Sequence, residues 1–115
     1  MLIAEFAFSA VLFIGALLHV YGSFATLPSG SPELVWSIGS SGFAILLSVL
    51  AALRARRRTD RALSAIVGVG CIGWVALVLT FGMAIGNPAD PRVLYHVVVG
   101  LLLAAFAVRG IVFTR

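Results

Sequence analysis

Long stretches without charge are the feature that most limits how this chain can fold. Residues 34–53, 62–89 and 93–108 contain no Asp, Glu, Lys or Arg, and Glu5 and His19 alone interrupt the first apolar segment. A membrane-spanning helix needs about 20 mostly apolar residues. Strands of a membrane barrel would instead alternate between polar and apolar residues. The pattern therefore predicts an all-α integral membrane protein.

The breaks between these runs predict four helices in one domain, residues 1–115. Proline and glycine interrupt the chain at 26–32 and at 86–91, and arginines interrupt it at 54–61. Such residues mark connections between helices. The predicted helices lie near 2–24, 34–53, 62–85 and 93–113. Short connections make successive helices antiparallel, so we expect a four-transmembrane-helix bundle with up-down-up-down topology.

Composition excludes most other classes of protein. The chain is 62% hydrophobic and only 10% charged, whereas a soluble domain is about one quarter charged. A single cysteine, Cys71, excludes a disulfide framework and a four-cysteine zinc site. Its apolar neighbours predict an inert, buried thiol.

The arginines predict an orientation rather than nucleic-acid binding. Five of the eight lie within 54–61, between two apolar runs. Positive loops stay in the cytoplasm, so this loop and both termini, including Arg115, are expected there. We expect the bacterial inner membrane as the location and the lipid bilayer as the surroundings.

Ionisable residues inside the spans are the candidates for function because their burial in lipid is costly. Glu5 and Arg109 lie near the inner ends of the first and fourth helices, and snorkelling to the headgroups is the favoured interpretation for both. His19 and His96 lie at similar depth near the outer ends of the same helices.

The two histidines suggest a cofactor site. Two imidazoles on facing helices can ligate a b-type haem, and Gly15 and Gly100, each four residues from a histidine, would let a flat macrocycle approach the backbone. Ordinary helix packing also places glycine there, and hydrogen-bonded or solvated histidines are the favoured interpretation. No metal site is expected, since a catalytic zinc needs three protein ligands.

A quinone or a lipid headgroup is a further alternative at the same place. A quinone carbonyl could accept a hydrogen bond from a histidine, with nearby aromatic and cationic side chains around the ring. The side chains assigned to this site are Tyr21, Trp36, Tyr95 and Arg92.

Small residues predict how the middle helices pack. Ser37, Ser40 and Ser41, with Gly39 and Gly42, give the second helix a small, weakly polar face suited to interhelical hydrogen bonds. Gly42, Gly70 and Gly73 are expected to bring the second and third helices close together.

No catalytic arrangement of side chains is visible, so we do not expect an enzyme. The favoured function is a non-catalytic accessory or structural subunit of a larger membrane complex, with other membrane subunits or a second copy as partners. The alternatives are a redox subunit that binds haem or quinone through His19 and His96, and a small dimeric transporter.

The topology can be tested with reporter fusions. Fusions after Arg115 or within 54–61 should report cytoplasm, and fusions near Ser29 or Ala89 should report the outer side, because the positive loop is retained inside. Paired alkaline phosphatase and fluorescent protein reporters give opposite signals at each position. A cytoplasmic signal at Ser29 would contradict the predicted orientation.

Overall fold

A computed structural model of the protein describes residues 2–113, and four α-helices account for most of them. The helices are α1 (Leu2–Thr26), α2 (Pro32–Arg56), α3 (Arg61–Ala84) and α4 (Pro91–Val112). Each is long and apolar enough to cross a membrane. No strand occurs in the described part of the chain. The predicted all-helical architecture with four helices able to span a membrane is confirmed. The cytoplasmic orientation of the termini stays a prediction, and Arg115 lies outside the described residues.

Polar side chains fix where three of the helices begin. Ser31 Oγ accepts a hydrogen bond from the Leu34 amide at 3.2 Å, and Asp60 Oδ1 accepts one from the Leu63 amide at 2.9 Å. Asp90 Oδ1 accepts one from the Arg92 amide at 2.9 Å. The first amides of a helix have no partner within it, so these caps supply the missing acceptors.

The helices form two antiparallel hairpins that pack side by side. The α1–α2 and α3–α4 pairs have the most extensive contacts, and α1 also packs on α4 and α2 on α3. The described residues measure 50 × 24 × 21 Å. We call the end with the 57–60 connection the arginine end, and the end with the 27–31 and 85–90 connections the histidine end.

Close packing in the core depends on two glycines. A Cβ at Gly70 would lie 2.8 Å from Leu47 Cδ1, and one at Gly100 would lie 2.8 Å from Val75 Cγ2. Both glycines therefore allow a neighbouring side chain to reach their own helix. Gly70 confirms the expected contact between α2 and α3. The same expectation is wrong for Gly42 and Gly73, since a Cβ at either would meet no described atom within 4 Å.

The second helix is longer than the sequence suggests. It continues to Arg56 rather than ending at Leu53, so the connection spans 57–60 and not 54–61. Arg54 lies inside the helix and is only 3% exposed. The difference has a physical cause in the ion pair described below, which removes the cost of keeping Arg54 among apolar helices.

Candidate functional site

Both candidate histidines line one small cavity at the histidine end. The cavity measures about 40 Å³, and α1, α3 and α4 all contribute to its wall. Its polar lining residues are His19, Trp74, Arg92 and His96, and the remaining wall is Val78, Phe81 and Val93. The matched depth inferred from the sequence thus corresponds to a common location, although a ligand role for the two histidines stays a prediction.

His19 belongs to a hydrogen-bonded cluster between α1 and α2. His19 Nδ1 and Ser41 Oγ are hydrogen-bonded at 2.6 Å. Ser23 Oγ donates to the His19 carbonyl at 2.7 Å, and it lies 2.5 Å from Ser37 Oγ. The predicted interhelical hydrogen bonds are confirmed for Ser37 and Ser41. They are wrong for Ser40, whose Oγ donates to the Ser37 carbonyl of its own helix at 2.8 Å. One imidazole nitrogen of His19 is thereby committed to holding two helices together.

His96 is held by aromatic rings rather than by hydrogen bonds. Its ring makes edge contacts with Trp74 and Tyr95, with centroids 5.3 and 5.1 Å away. Tyr95 in turn donates its hydroxyl to the Val11 carbonyl of α1 at 2.6 Å. Within residues 2–113, His96 Nδ1 and Trp74 Nε1 are buried without a hydrogen-bond partner. These two nitrogens are the uncommitted polar atoms of the histidine end.

The glycines near the histidines do not make room for a haem. A Cβ at Gly15 would lie 2.6 Å from Tyr95 Cε1 and 3.0 Å from His96 Cε1, so protein side chains already cover that surface. Val75 and Trp74 cover Gly100 in the same way. Pockets for small-molecule ligands usually exceed about 300 Å³, and this cavity has room only for a group about the size of water. The residues therefore do not fit a haem between the two histidines.

Of the other residues assigned to this site, two lie next to the cavity and two lie away from it. Tyr21 and Trp36 are 76% and 79% exposed and lie outside the cavity lining, near helix ends where aromatic residues meet the membrane interface. Tyr95 supports His96, as described above. Arg92 lines the cavity, and its Nε donates to Asp90 Oδ1 at 2.9 Å. The Arg92 hydrogen bonds lower the pKa of Asp90 to about 2, so that cap stays ionised at ordinary pH.

A second polar cluster at the arginine end was missed at the sequence level. Arg54 Nη2 donates to Glu5 Oε2 at 2.5 Å, and the Glu5 residue is 5% exposed. Arg58 Nη2 lies 3.9 Å from the other carboxylate oxygen. The snorkelling interpretation of Glu5 is therefore wrong. The position of Glu5 within an apolar segment was the available indication of a buried ion pair. Its partner was not recognised because Arg54 was expected in a loop rather than in α2.

The two remaining helices close over this ion pair. A Cβ at Gly110 of α4 would lie 2.5 Å from Arg54 Nη1 and 2.9 Å from Ser64 Oγ of α3. The absence of a side chain at Gly110 therefore leaves room for the Arg54 guanidinium. Residues of all four helices thus lie around the ion pair, with Ser64 of α3 next to Gly110 and its hydroxyl buried without a hydrogen-bond partner among the described residues.

The arrangement offers little chemistry of its own. Within residues 2–113, no three His, Cys, Asp or Glu side chains lie close enough to hold a metal ion. Cys71 is fully buried in the core. No protein-family model, curated protein or solved structure matches the chain.

Removing one partner of the buried pair should destabilise the bundle strongly. We expect Arg54→Ala to lower the free energy of unfolding by about 3–5 kcal/mol, because the buried Glu5 carboxylate loses its hydrogen-bonded partner and keeps only the half-exposed Arg58, 3.9 Å away. Arg58→Ala is the control, expected below about 1 kcal/mol because that side chain is 49% exposed.

Unfolding in mixed detergent micelles, followed by circular dichroism, measures both variants. The double variant Glu5→Gln with Arg54→Met should recover part of the loss, since it removes both charges together. Equal stability of Arg54→Ala and Arg58→Ala would contradict the role assigned to the pair.

Proposed function

We propose that this chain is a non-catalytic subunit that binds other transmembrane helices of a larger membrane complex. The observation that carries the proposal is a set of glycines on the outer surface of α2 and α3, where a side chain would meet no described atom. Glycine on a membrane-facing surface lets another helix approach closely, and close approach drives helix association in lipid.

The outward glycines are distinct from those that pack the bundle. Gly39 and Gly42 of α2 and Gly73 of α3 are exposed, and a Cβ at each would meet no described atom within 4 Å. Gly70, one turn from Gly73, is already in contact with Leu47. Packing within the described chain therefore does not explain why glycine occupies these outward positions.

Gly42 and Gly73 lie at similar depth on neighbouring helices. Phe43 and Trp74, the residues that follow them, are in ring contact with centroids 6.0 Å apart. Because α2 and α3 pack together, a helix from another subunit could use small surfaces on both at one level of the membrane. Glycine at such surfaces costs helix stability, which a gain in association would offset.

The remaining features support binding rather than catalysis. The helix connections are only residues 27–31, 57–60 and 85–90, so little of the described chain lies outside the membrane. The polar side chains of the spans mostly bond within the chain, either to one another, as at His19–Ser41 and Glu5–Arg54, or to carbonyls of their own helix. The surface left to a partner is apolar and shaped by small residues.

The proposal predicts that outward glycines control assembly without controlling the fold. We expect Gly42→Leu and Gly73→Leu to weaken association about tenfold or more, which corresponds to 1.4 kcal/mol of lost helix contact. The thermal unfolding temperature of the isolated chain should not fall, because leucine forms helix better than glycine and meets no described atom at either position. Gly70→Leu is the matched control, expected to destabilise the isolated chain itself because its side chain collides with Leu47.

The measurement is co-purification of the tagged chain from its own membranes in mild detergent, with the complex resolved on a native gel. Wild type should migrate with other membrane proteins, and the two outward variants should migrate alone. Wild type that migrates only as a single chain would contradict the proposal. A homodimer without other subunits would instead favour self-association, as in the transporter alternative.

A further inference from the structure

A groove between α1 and α2 lies apart from the cavity that the two histidines line. It measures about 440 Å³ and runs along α1 from Phe6 to Ile14 and along α2 from Ser48 to Ala52. Ala10 and Ala52 are among the small side chains that leave this space open, and Phe6 and Phe13 flank it. The groove lies in the half of the bundle nearer the arginine end.

The polar atoms of the groove are already satisfied. Ser9 Oγ donates to the Glu5 carbonyl at 2.8 Å, and Ser48 Oγ donates to the Ile45 carbonyl at 2.7 Å. A serine bonded back to its own helix presents mainly its apolar atoms to a neighbour. The groove therefore suits a hydrocarbon chain and offers nothing to a polar ligand.

The groove leads to exposed positive charge. Ser48, Ala52 and Arg56 are spaced four residues apart, so they follow one face of α2, and Arg56 lies one turn beyond the groove. Arg56 and Arg57 are exposed. Arg54 is neutralised by Glu5, but the arginines around the connection exceed its one acid, Asp60. This end of the groove attracts an anion.

We propose that the groove binds one acyl chain of an anionic phospholipid whose phosphate contacts Arg56. An apolar channel that opens within one turn of a cationic side chain matches the two parts of such a lipid. Arginine clusters next to a membrane span attract anionic headgroups, and the groove adds a defined position for the tail. The contact along α1, residues 6–14, is about 12 Å long, which is short for a partner helix that crosses the whole membrane.

Lipid selectivity tests the headgroup half of the proposal. The purified chain is titrated with dioleoyl phosphatidylglycerol or dioleoyl phosphatidylcholine in detergent micelles, and native mass spectrometry counts bound lipids. We expect wild type to retain the anionic lipid preferentially and Arg56→Gln to lower its retention about fivefold, since one juxtamembrane arginine contributes about that factor. Arg61→Gln, which removes the same charge from the start of α3, should retain the preference.

Filling the groove tests the tail half. Ala10→Phe places a ring in the space and should lower retention of both lipids, whereas Ala65→Phe, at an exposed position of α3, should not. Circular dichroism and thermal unfolding confirm that each variant is folded. If Ala10→Phe fails to fold, the Arg56→Gln and Arg61→Gln comparison still decides.

Three results would overturn the proposal. Equal binding of both lipids by the wild type would contradict the headgroup contact. An equal loss of anionic-lipid retention in Arg56→Gln and Arg61→Gln would show general attraction by positive charge rather than a specific contact with Arg56. A groove occupied by a second copy, detected as a dimer that Ala10→Phe disrupts while lipid retention stays unchanged, would replace the lipid as the occupant.

Discussion

The cost of a charge among apolar helices governs the arginine end of this bundle. Glu5 and Arg54 are both buried, and either alone would be strongly unfavourable in lipid. Paired at 2.5 Å, they neutralise each other, and the pairing extends α2 beyond the point where its apolar run ends. The pair also sets the composition of its neighbours, because Gly110 of α4 can approach Arg54 only without a side chain.

At the histidine end, polar side chains within the helices are accommodated mainly by hydrogen bonds and ring contacts rather than by a buried ion pair. His19, Ser23, Ser37 and Ser41 satisfy one another across the α1–α2 interface, while His96 is enclosed by rings. Hydrogen bonds of this kind add modest stability in membranes, yet they keep polar atoms away from lipid. Polar residues at both ends thus act mainly within the chain. At the histidine end, His96 Nδ1 and Trp74 Nε1 are the exceptions, since both are buried without a hydrogen-bond partner among the described residues.

The fold was largely predictable because lipid restricts the choice of backbone structure. Uncharged runs of sufficient length indicate helices, and the serines of α2 indicated interhelical hydrogen bonds that the structure confirms. Ion pairs between residues far apart in the sequence were harder to predict. Glu5 and Arg54 are 49 positions apart, and a rule that assigns arginines to loops cannot detect a charge neutralised by another helix. The prediction that Gly15 and Gly100 make room for a cofactor was wrong for a related reason. Tyr95 covers Gly15 and Val75 covers Gly100, and the spacing of residues along one helix does not show which side chains of another helix lie against it.

The proposed lipid and the proposed partner helix would each use small residues on the surface of the bundle. In the proposed lipid site, Ala10 and Ala52 line a groove that ends one turn from Arg56, so a lipid would gain from both its tail and its charge. On the outer surface of α2 and α3, Gly42 and Gly73 lie near the middle of their helices, beyond the reach of headgroup charge, where only another helix gains from a close approach. The groove uses α1 and the stretch of α2 from Ser48 to Ala52, whereas Gly73 lies on α3, so a lipid in the groove would leave Gly73 uncovered. A subunit built this way would carry its lipid into a complex instead of exchanging it for a partner.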